Sequence, residues 1–247
     1  MPAVVPERLD KLLSATGRWS RKEIKDLVRQ GRVLVDQVPA RKPEDKYDPE
    51  AVSILVDGEA ADCAPFVYVM MHKPEGLLSA TEDDKQKTVL DLLPEYLRRR
   101  GLFPVGRLDK DTTGLLLLTD DGPLAHELLS PKKHVDKVYL VRVEGRVDNA
   151  DIDALAEGMV LGDGLHCLPA GLEPVGDGSA CLVTLREGKY HQVKRMLAAR
   201  GKSVLALKRL SMGPLSLDEG LAPGDWRTLT AGEVATLKRA MGRPGAF

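Results

Sequence analysis

The sequence predicts an α+β protein, with a small helix-helix-strand module followed by a larger domain on a mixed, largely antiparallel sheet. Three observations predict it. Residues 8–36 carry two short amphipathic helical stripes and then an apolar strand-like segment. From Phe66 onward, short apolar strands and short helices alternate without the regular spacing of βαβ units. Between these regions, from Gly58 to Pro65, the chain turns to small and acidic residues (Glu59, Ala60, Ala61, Asp62), which reads as a linker. The expected division of the 247 residues is 1–60 and 61–247.

The first elements follow from side-chain periodicity. Leu9, Leu12 and Leu13 lie at i, i+3 and i+4, one apolar stripe of a short helix that Gly17 can end. Ser20-Arg21-Lys22-Glu23 has the form of a capping box, and Ile24, Leu27 and Val28 supply the next stripe. Gly31 is placed to cap that helix. Arg32–Asp36 reads as a strand, and Val52–Val56 as another that ends at Asp57-Gly58.

In the larger region, Phe66–Met71 reads as a buried strand and Thr88–Leu93 as a short helix stopped by Pro94. Gly114–Thr119 is a strongly apolar strand, Pro123–Leu129 a helix broken at Pro131, and Val138–Val143 a further strand. Asp148–Ala156 reads as a helix ended by Gly158, and Ala180–Leu185 as a strand. Tyr190–Arg200 reads as a helix ended by Gly201, and Val204–Leu207 as a strand. Thr230-Ala231-Gly232-Glu233 is a second capping box and opens the final helix. Asp163-Gly164 and Asp177-Gly178 fit hairpin turns.

Composition narrows the function classes. A hydrophobic content of 43% suffices for a core and argues against wholesale disorder. No apolar run approaches the length of a membrane span, and the opening MPAVVPERLD lacks the features of a secretory signal. Cys63, Cys167 and Cys181 form no CxxC pair, which fits reduced thiols in a cytoplasmic protein. His72, His126, His134, His166 and His191 lack HxxxH or HExxH spacing, so no metal site is expected. His191 is instead expected to hydrogen-bond within its own segment. Without a Walker loop or a GxGxxG after a strand, ATP, NAD and a typical methyl donor are unsupported, and no cofactor is expected.

The net charge of -1 conceals an uneven distribution. Residues 8–42 hold ten Lys/Arg against four acids, and residues 186–209 hold eight against Glu187 alone. Two basic regions on an acidic body fit a polyanion-binding track, because nucleic-acid affinity rests on local neutralisation of phosphates. Two ordinary solvated helical faces would carry the same charge.

One stretch concentrates chemistry. Gly106-Arg107-Leu108-Asp109-Lys110-Asp111-Thr112-Thr113-Gly114 places a carboxylate in a Gly-bounded turn beside the apolar run Leu115–Leu118, with Arg107 and Lys110 flanking it. A rigid strand can hold such an Asp while nearby cations keep it ionised. On residue pattern alone, a surface turn rich in Asp and Lys is the simpler reading.

The stretch closely resembles the catalytic motif of RNA pseudouridine synthases, G-R-L-D followed by x-x-T/S-x-G-L-L. The resemblance implies that Asp109 is the essential carboxylate, with Asp111 mattering far less, and that Arg107 fills the space left by a flipped base. Lys137-Val138-Tyr139-Leu140-Val141 resembles the strand whose tyrosine stacks on the target base and handles a proton, against the alternative of a core tyrosine. Glu187–Met196 resembles the motif whose basic residue pairs with the catalytic Asp. By register that residue is Lys194, with Arg195 as the second choice and a solvated helix face as the bland alternative. Leu205–Arg209 with Gly213 resembles the late motif that brings a leucine, here Leu207, to the site. The N-terminal module is similar to the S-four-type RNA-binding fold, which implies that Arg8, Lys11, Arg21, Lys22, Lys25 and Arg29 face RNA phosphates.

These ordered motifs cover nearly the whole chain, and their wording resembles the RsuA branch of the family. The branch implies a monomeric isomerase, independent of cofactors and membranes, that converts a uridine of ribosomal RNA to pseudouridine. The implied target is uridine 516 of 16S RNA. Three rivals remain: a sister enzyme acting on 23S RNA, a non-catalytic ribosome-assembly factor, and a methyltransferase. The full set of Arg107, Asp109, Tyr139 and Lys194 argues against the second, and the missing donor loop against the third.

Overall fold

The computed structural model describes residues 6–49, 51–130 and 133–242. They fall into two compact units, Met1–Val67 with Leu93–Leu102, and Tyr68–Leu92 with Phe103–Phe247.

In the first unit, helices α1 (Leu9–Ala15) and α2 (Arg21–Arg29) pack on strands β1 (Val33–Val35), β2 (Val38–Pro39), β3 (Ile54–Val56) and β4 (Glu59–Ala60). The capping box of α2 is complete: Glu23 N donates to Ser20 Oγ and Ser20 N to Glu23 Oε2. Leu9, Leu13, Ile24 and Val33 are fully buried, so the predicted stripes meet in one core. The strands lie antiparallel in the order β2–β1–β3–β4. Part of the segment read as linker is therefore structured, since β4 folds back on β3. Asp57 and Gly58 both hold positive φ (53° and 82°), the backbone that a tight two-residue hairpin requires.

Helix α3 (Glu95–Arg99) also belongs to this unit, and the sequence reading missed it. Pro94, expected to stop a helix, also starts one: it stands at the N-cap, where its missing N–H costs no helical hydrogen bond. Gly17 has a role beyond ending α1. A Cβ there would lie 2.1 Å from the Tyr96 carbonyl oxygen, so only glycine permits this approach. Arg18 then stacks its guanidinium 4.9 Å above the Tyr96 ring.

In the second unit the strands are β5 (Tyr68–Lys73), β6 (Phe103–Pro104), β7 (Thr112–Thr119), β8 (Lys137–Val143), β9 (Gly171–Val175), β10 (Ala180–Leu185), β11 (Val204–Met212) and β12 (Trp226–Thr228). With the short Leu215–Ser216 they make a nine-stranded sheet among the described residues. The main order is β9–β10–β8–β11–β7–β5–β12. Every pairing is antiparallel except β11 with β7. The helices are α4 (Gly122–Leu129), α5 (Asn149–Glu157), α6 (Gln192–Ala199) and α7 (Ala231–Ala240). Leu115–Leu118 are essentially inaccessible, as a central strand covered on both faces requires.

Three boundaries differ from expectation. Val89–Leu92 is a 3-10 turn, α6 begins two residues late because His191 is left-handed (φ 49°), and β11 runs on to Met212. The extension was hidden because Lys208 and Arg209 interrupt the apolar pattern. Pro131, expected to break α4, lies outside the described residues. The parallel junction of β7 and β11 depends on Gly114, where a Cβ would lie 2.2 Å from the Arg209 carbonyl oxygen. That close approach sets Leu207 opposite Thr112 and Arg209 opposite Gly114, beside the loop that carries Asp109.

Candidate active site

Asp109 lies in the loop that opens at Gly106, with Lys110 and Asp111 between it and β7, and its carbonyl accepts from Thr112 N at 3.0 Å. The Lys194 ammonium, on the first turn of α6, lies 3.0 Å from Asp109 Oδ2 and 2.5 Å from Asp111 Oδ1. Burial disfavours the Lys194 cation, but hydrogen bonds to Asp111 and Asp109 outweigh that penalty and hold its pKa above the ordinary value. The same contact draws the Asp111 carboxyl below its usual range.

The turn preceding α6 is braced internally. Gln192 donates to Glu187 Oε1 at 2.5 Å and accepts from Lys189 N at 3.0 Å. Within this segment His191 bonds through its backbone, its carbonyl accepting from Arg195 N at 3.0 Å, whereas its ring Nε2 lies 3.5 Å from Asp109 Oδ1.

Tyr139 reaches the site from β8, where it is Cα partner of Arg209 on β11 and nearly buried. Leu207, also buried, closes the other side. Asp109, Tyr139, Leu207, Gln192 and Arg107 line an inner pocket of about 70 Å³. It joins an outer cleft of about 760 Å³, which Ser79, Lys110, Lys137, Tyr190 and Arg209 also line. Arg107 is exposed in this cleft. Arg195 turns away from Asp109 and pairs with Asp163 at 2.5 Å. A carboxylate with a fixed counter-cation, an adjacent phenol and an exposed Arg at the mouth can hold a planar base and act on the carbon beside it.

Residues 67–199 match the model of RNA pseudouridylate synthase, and residues 7–53 match the S4 domain. The chain belongs to the RNA pseudouridylate synthase family. It is 50% identical over 233 residues to an uncharacterized RNA pseudouridine synthase of Bacillus subtilis, covering 93% of this chain and 98% of that protein. It is 42% identical over 233 residues to the ribosomal small subunit pseudouridine synthase A of Pseudomonas aeruginosa, covering 93% and 100%. A solved pseudouridylate synthase is 36% identical, with a TM-score of 0.66 over 94% of this chain and 99% of that one.

The synthase contains site-building residues that sequence reasoning did not single out. Lys73 is fully buried on β5 and donates to the carbonyls of Pro74 at 2.9 Å, Thr112 at 3.0 Å and Lys110 at 3.3 Å. Ser79 accepts from Leu108 N at 3.1 Å and donates to Leu108 O at 2.9 Å. Together they fasten both flanks of Asp109 by backbone contacts. Lys137 and Arg209 are both buried on the face that carries Tyr139, with no ion pair among the described residues. Burial, then the nearby Arg209, pushes the Lys137 pKa down.

In the first unit the expected RNA-facing residues divide. Arg8 pairs with Asp10, Lys11 with Glu7 and Arg29 with Asp26. Arg21, Lys22 and Lys25 are exposed on α2 and make no ion pair among the described residues. No helix among the described residues is long and apolar enough to cross a membrane.

Proposed function

We propose that this synthase isomerises a uridine of ribosomal RNA in the cytoplasm, that its target is uridine 516 of 16S RNA, and that it acts as a monomer. The observation that carries the target is the near end-to-end match to the Pseudomonas aeruginosa protein named for the small subunit. Residues 1–60 dock RNA, chiefly through Arg21, Lys22 and Lys25, while Arg8, Lys11 and Arg29 are partly neutralised by their own neighbours. Residues 61–247 carry the chemistry, apart from α3, which packs with the first unit.

The residues fit the steps. The base leaves the helix stack and Arg107 occupies the space it vacates. Asp109 meets C1′ as the N1–C1′ bond breaks, either by attack, with the Asp109–C1′ bond breaking again as C5 bonds to C1′, or by taking the C2′ proton to give a glycal and returning it as C5 adds, and the Lys194 ammonium 3.0 Å away is its counter-charge. Tyr139 and Leu207 hold the uracil while it turns. The C5–C1′ bond then forms, C5 loses its proton through Tyr139, and N1 gains one, so atoms balance without a cofactor or redox change. Arg195 contributes to RNA contact at the rim.

Pseudouridine mapping of ribosomal RNA from cells with and without the gene tests the target. Loss of the modification at uridine 516 alone is the expected result. Loss at a 23S position would make the protein a large-subunit enzyme, and an unchanged map would make it an assembly factor.

A further inference from the structure

Tyr190 is a large aromatic residue left 73% exposed at the edge of the outer cleft. One face of its ring stacks on His191, with centroids 3.9 Å apart and planes 17° from parallel. Neither its other face nor its hydroxyl has a partner among the described residues. His191 in turn lies 3.5 Å from Asp109, with its backbone in the left-handed region (φ 49°). The stack is therefore an aromatic step beside the Asp109 carboxylate, open on its outer side.

The step does not serve the target base. That base belongs in the inner pocket, where Asp109, Tyr139 and Leu207 converge, and Tyr190 is not among the residues lining that pocket. It stands instead beside exposed Arg107 and Lys110, and next in sequence to Lys189. An open aromatic face beside cations along a strand-binding cleft is the arrangement on which unpaired bases stack, whatever their identity.

We propose that the Tyr190–His191 stack is a binding platform for a second nucleobase, the neighbour of the target uridine in the same RNA strand. It holds that neighbour while the uridine is turned into the inner pocket, so that the strand is gripped on both sides of the displaced nucleotide. The proposal rests on the reading that an RNA uridine enters this cleft.

The test uses the full chain and a 16S RNA fragment centred on uridine 516, with 2-aminopurine placed either 5′ or 3′ of that uridine. Stacking quenches the probe, so binding is read without turnover. Quenching is expected at one of the two positions, lost in Tyr190→Ala and retained in Tyr190→Phe and Tyr190→Trp. The RNA concentration for half-saturation should rise roughly 5- to 150-fold in Tyr190→Ala. An abasic site at the quenched position should give the wild-type protein the same loss and leave the variant no worse. No quenching at saturating RNA, quenching that survives in Tyr190→Ala, or losses that multiply would overturn the platform. Quenching without pseudouridine formation would overturn the assigned target and leave the platform standing.

Discussion

Lys194 Nζ lies 3.0 Å from Asp109 Oδ2 and bridges from there to Asp111, so two carboxylates share one ammonium. Asp111 is thus closer to the chemistry than the sequence suggested, although its side chain is 64% exposed. Asp109→Asn should reduce single-turnover pseudouridine formation to background and leave RNA affinity nearly unchanged. Asp111→Asn should cost less than about tenfold, since an exposed ion pair is worth roughly 0–1 kcal/mol. Turnover well above background in Asp109→Asn would remove this carboxylate from the reaction.

Lys194→Met leaves Asp109 without its cation in a partly buried site. Breaking a fully buried pair costs about 3–5 kcal/mol, and the partial exposure here reduces that to roughly 1–3 kcal/mol, or about 5- to 150-fold in rate. Lys194→Arg should retain most activity, because the charge survives. Equal losses in the two variants would point to shape rather than charge.

Tyr139 separates packing from proton transfer. Its ring is nearly buried and its hydroxyl has no hydrogen-bond partner among the described residues. Tyr139→Phe should therefore fold with wild-type stability and bind RNA normally. Its single-turnover rate should fall about 10²- to 10⁴-fold, the usual contribution of a positioned proton acceptor. A fall of less than threefold would leave the residue only a stacking role.

Which parts of this site were legible depended on where their information lies in the chain. Asp109, Tyr139, Lys194 and Leu207 stand in short contiguous motifs, each beside an apolar element whose period is plain. Lys73 and Ser79 act on backbone groups some thirty or more positions away, and nothing local distinguishes them from surface residues. Arg209 was hidden differently: a buried cation inside a strand breaks the apolar pattern that marks the strand. Helix α3 was lost because a proline stops one helix and starts another with the same residue.

The proposed docking face makes a graded prediction. Arg21, Lys22 and Lys25 make no ion pair among the described residues, whereas Arg8, Lys11 and Arg29 already face carboxylates. Replacing each free cation by Gln should flatten the dependence of log K on log salt by roughly 0.7 for single strands or 0.9 for duplex. The paired cations should give smaller changes. Point changes are the cleaner tool, because deleting residues 1–60 would also strip α3 of its packing against Gly17 and Arg18. Equal slopes for the wild-type protein and the Arg21, Lys22 and Lys25 variants would place the RNA elsewhere.

Lys73 links the loop behind Asp109 to pH. Burial lowers its pKa from 10.5 to about 8, and the nearby Asp111 and Asp109 carboxylates only partly oppose that shift. The folded protein thus holds this proton less tightly than the unfolded chain. Below pH 8 both states are protonated and stability is flat with respect to this group. Between pH 8 and 10.5 the unfolded chain binds more protons, so the contribution to stability rises with pH. The full rise is up to about 3 kcal/mol, at 1.36 kcal/mol per pKa unit. Lys73→Met removes the titrating group along with its three carbonyl contacts, so the variant should lack the rise. Urea unfolding of both proteins at steps from pH 7 to 10 isolates the effect, because every other titration is common to the two. The wild-type stability should climb relative to the variant above pH 8. Parallel curves would mean that Lys73 is solvated well enough to keep an ordinary pKa, and that its hold on the Asp109 loop is not a buried ammonium.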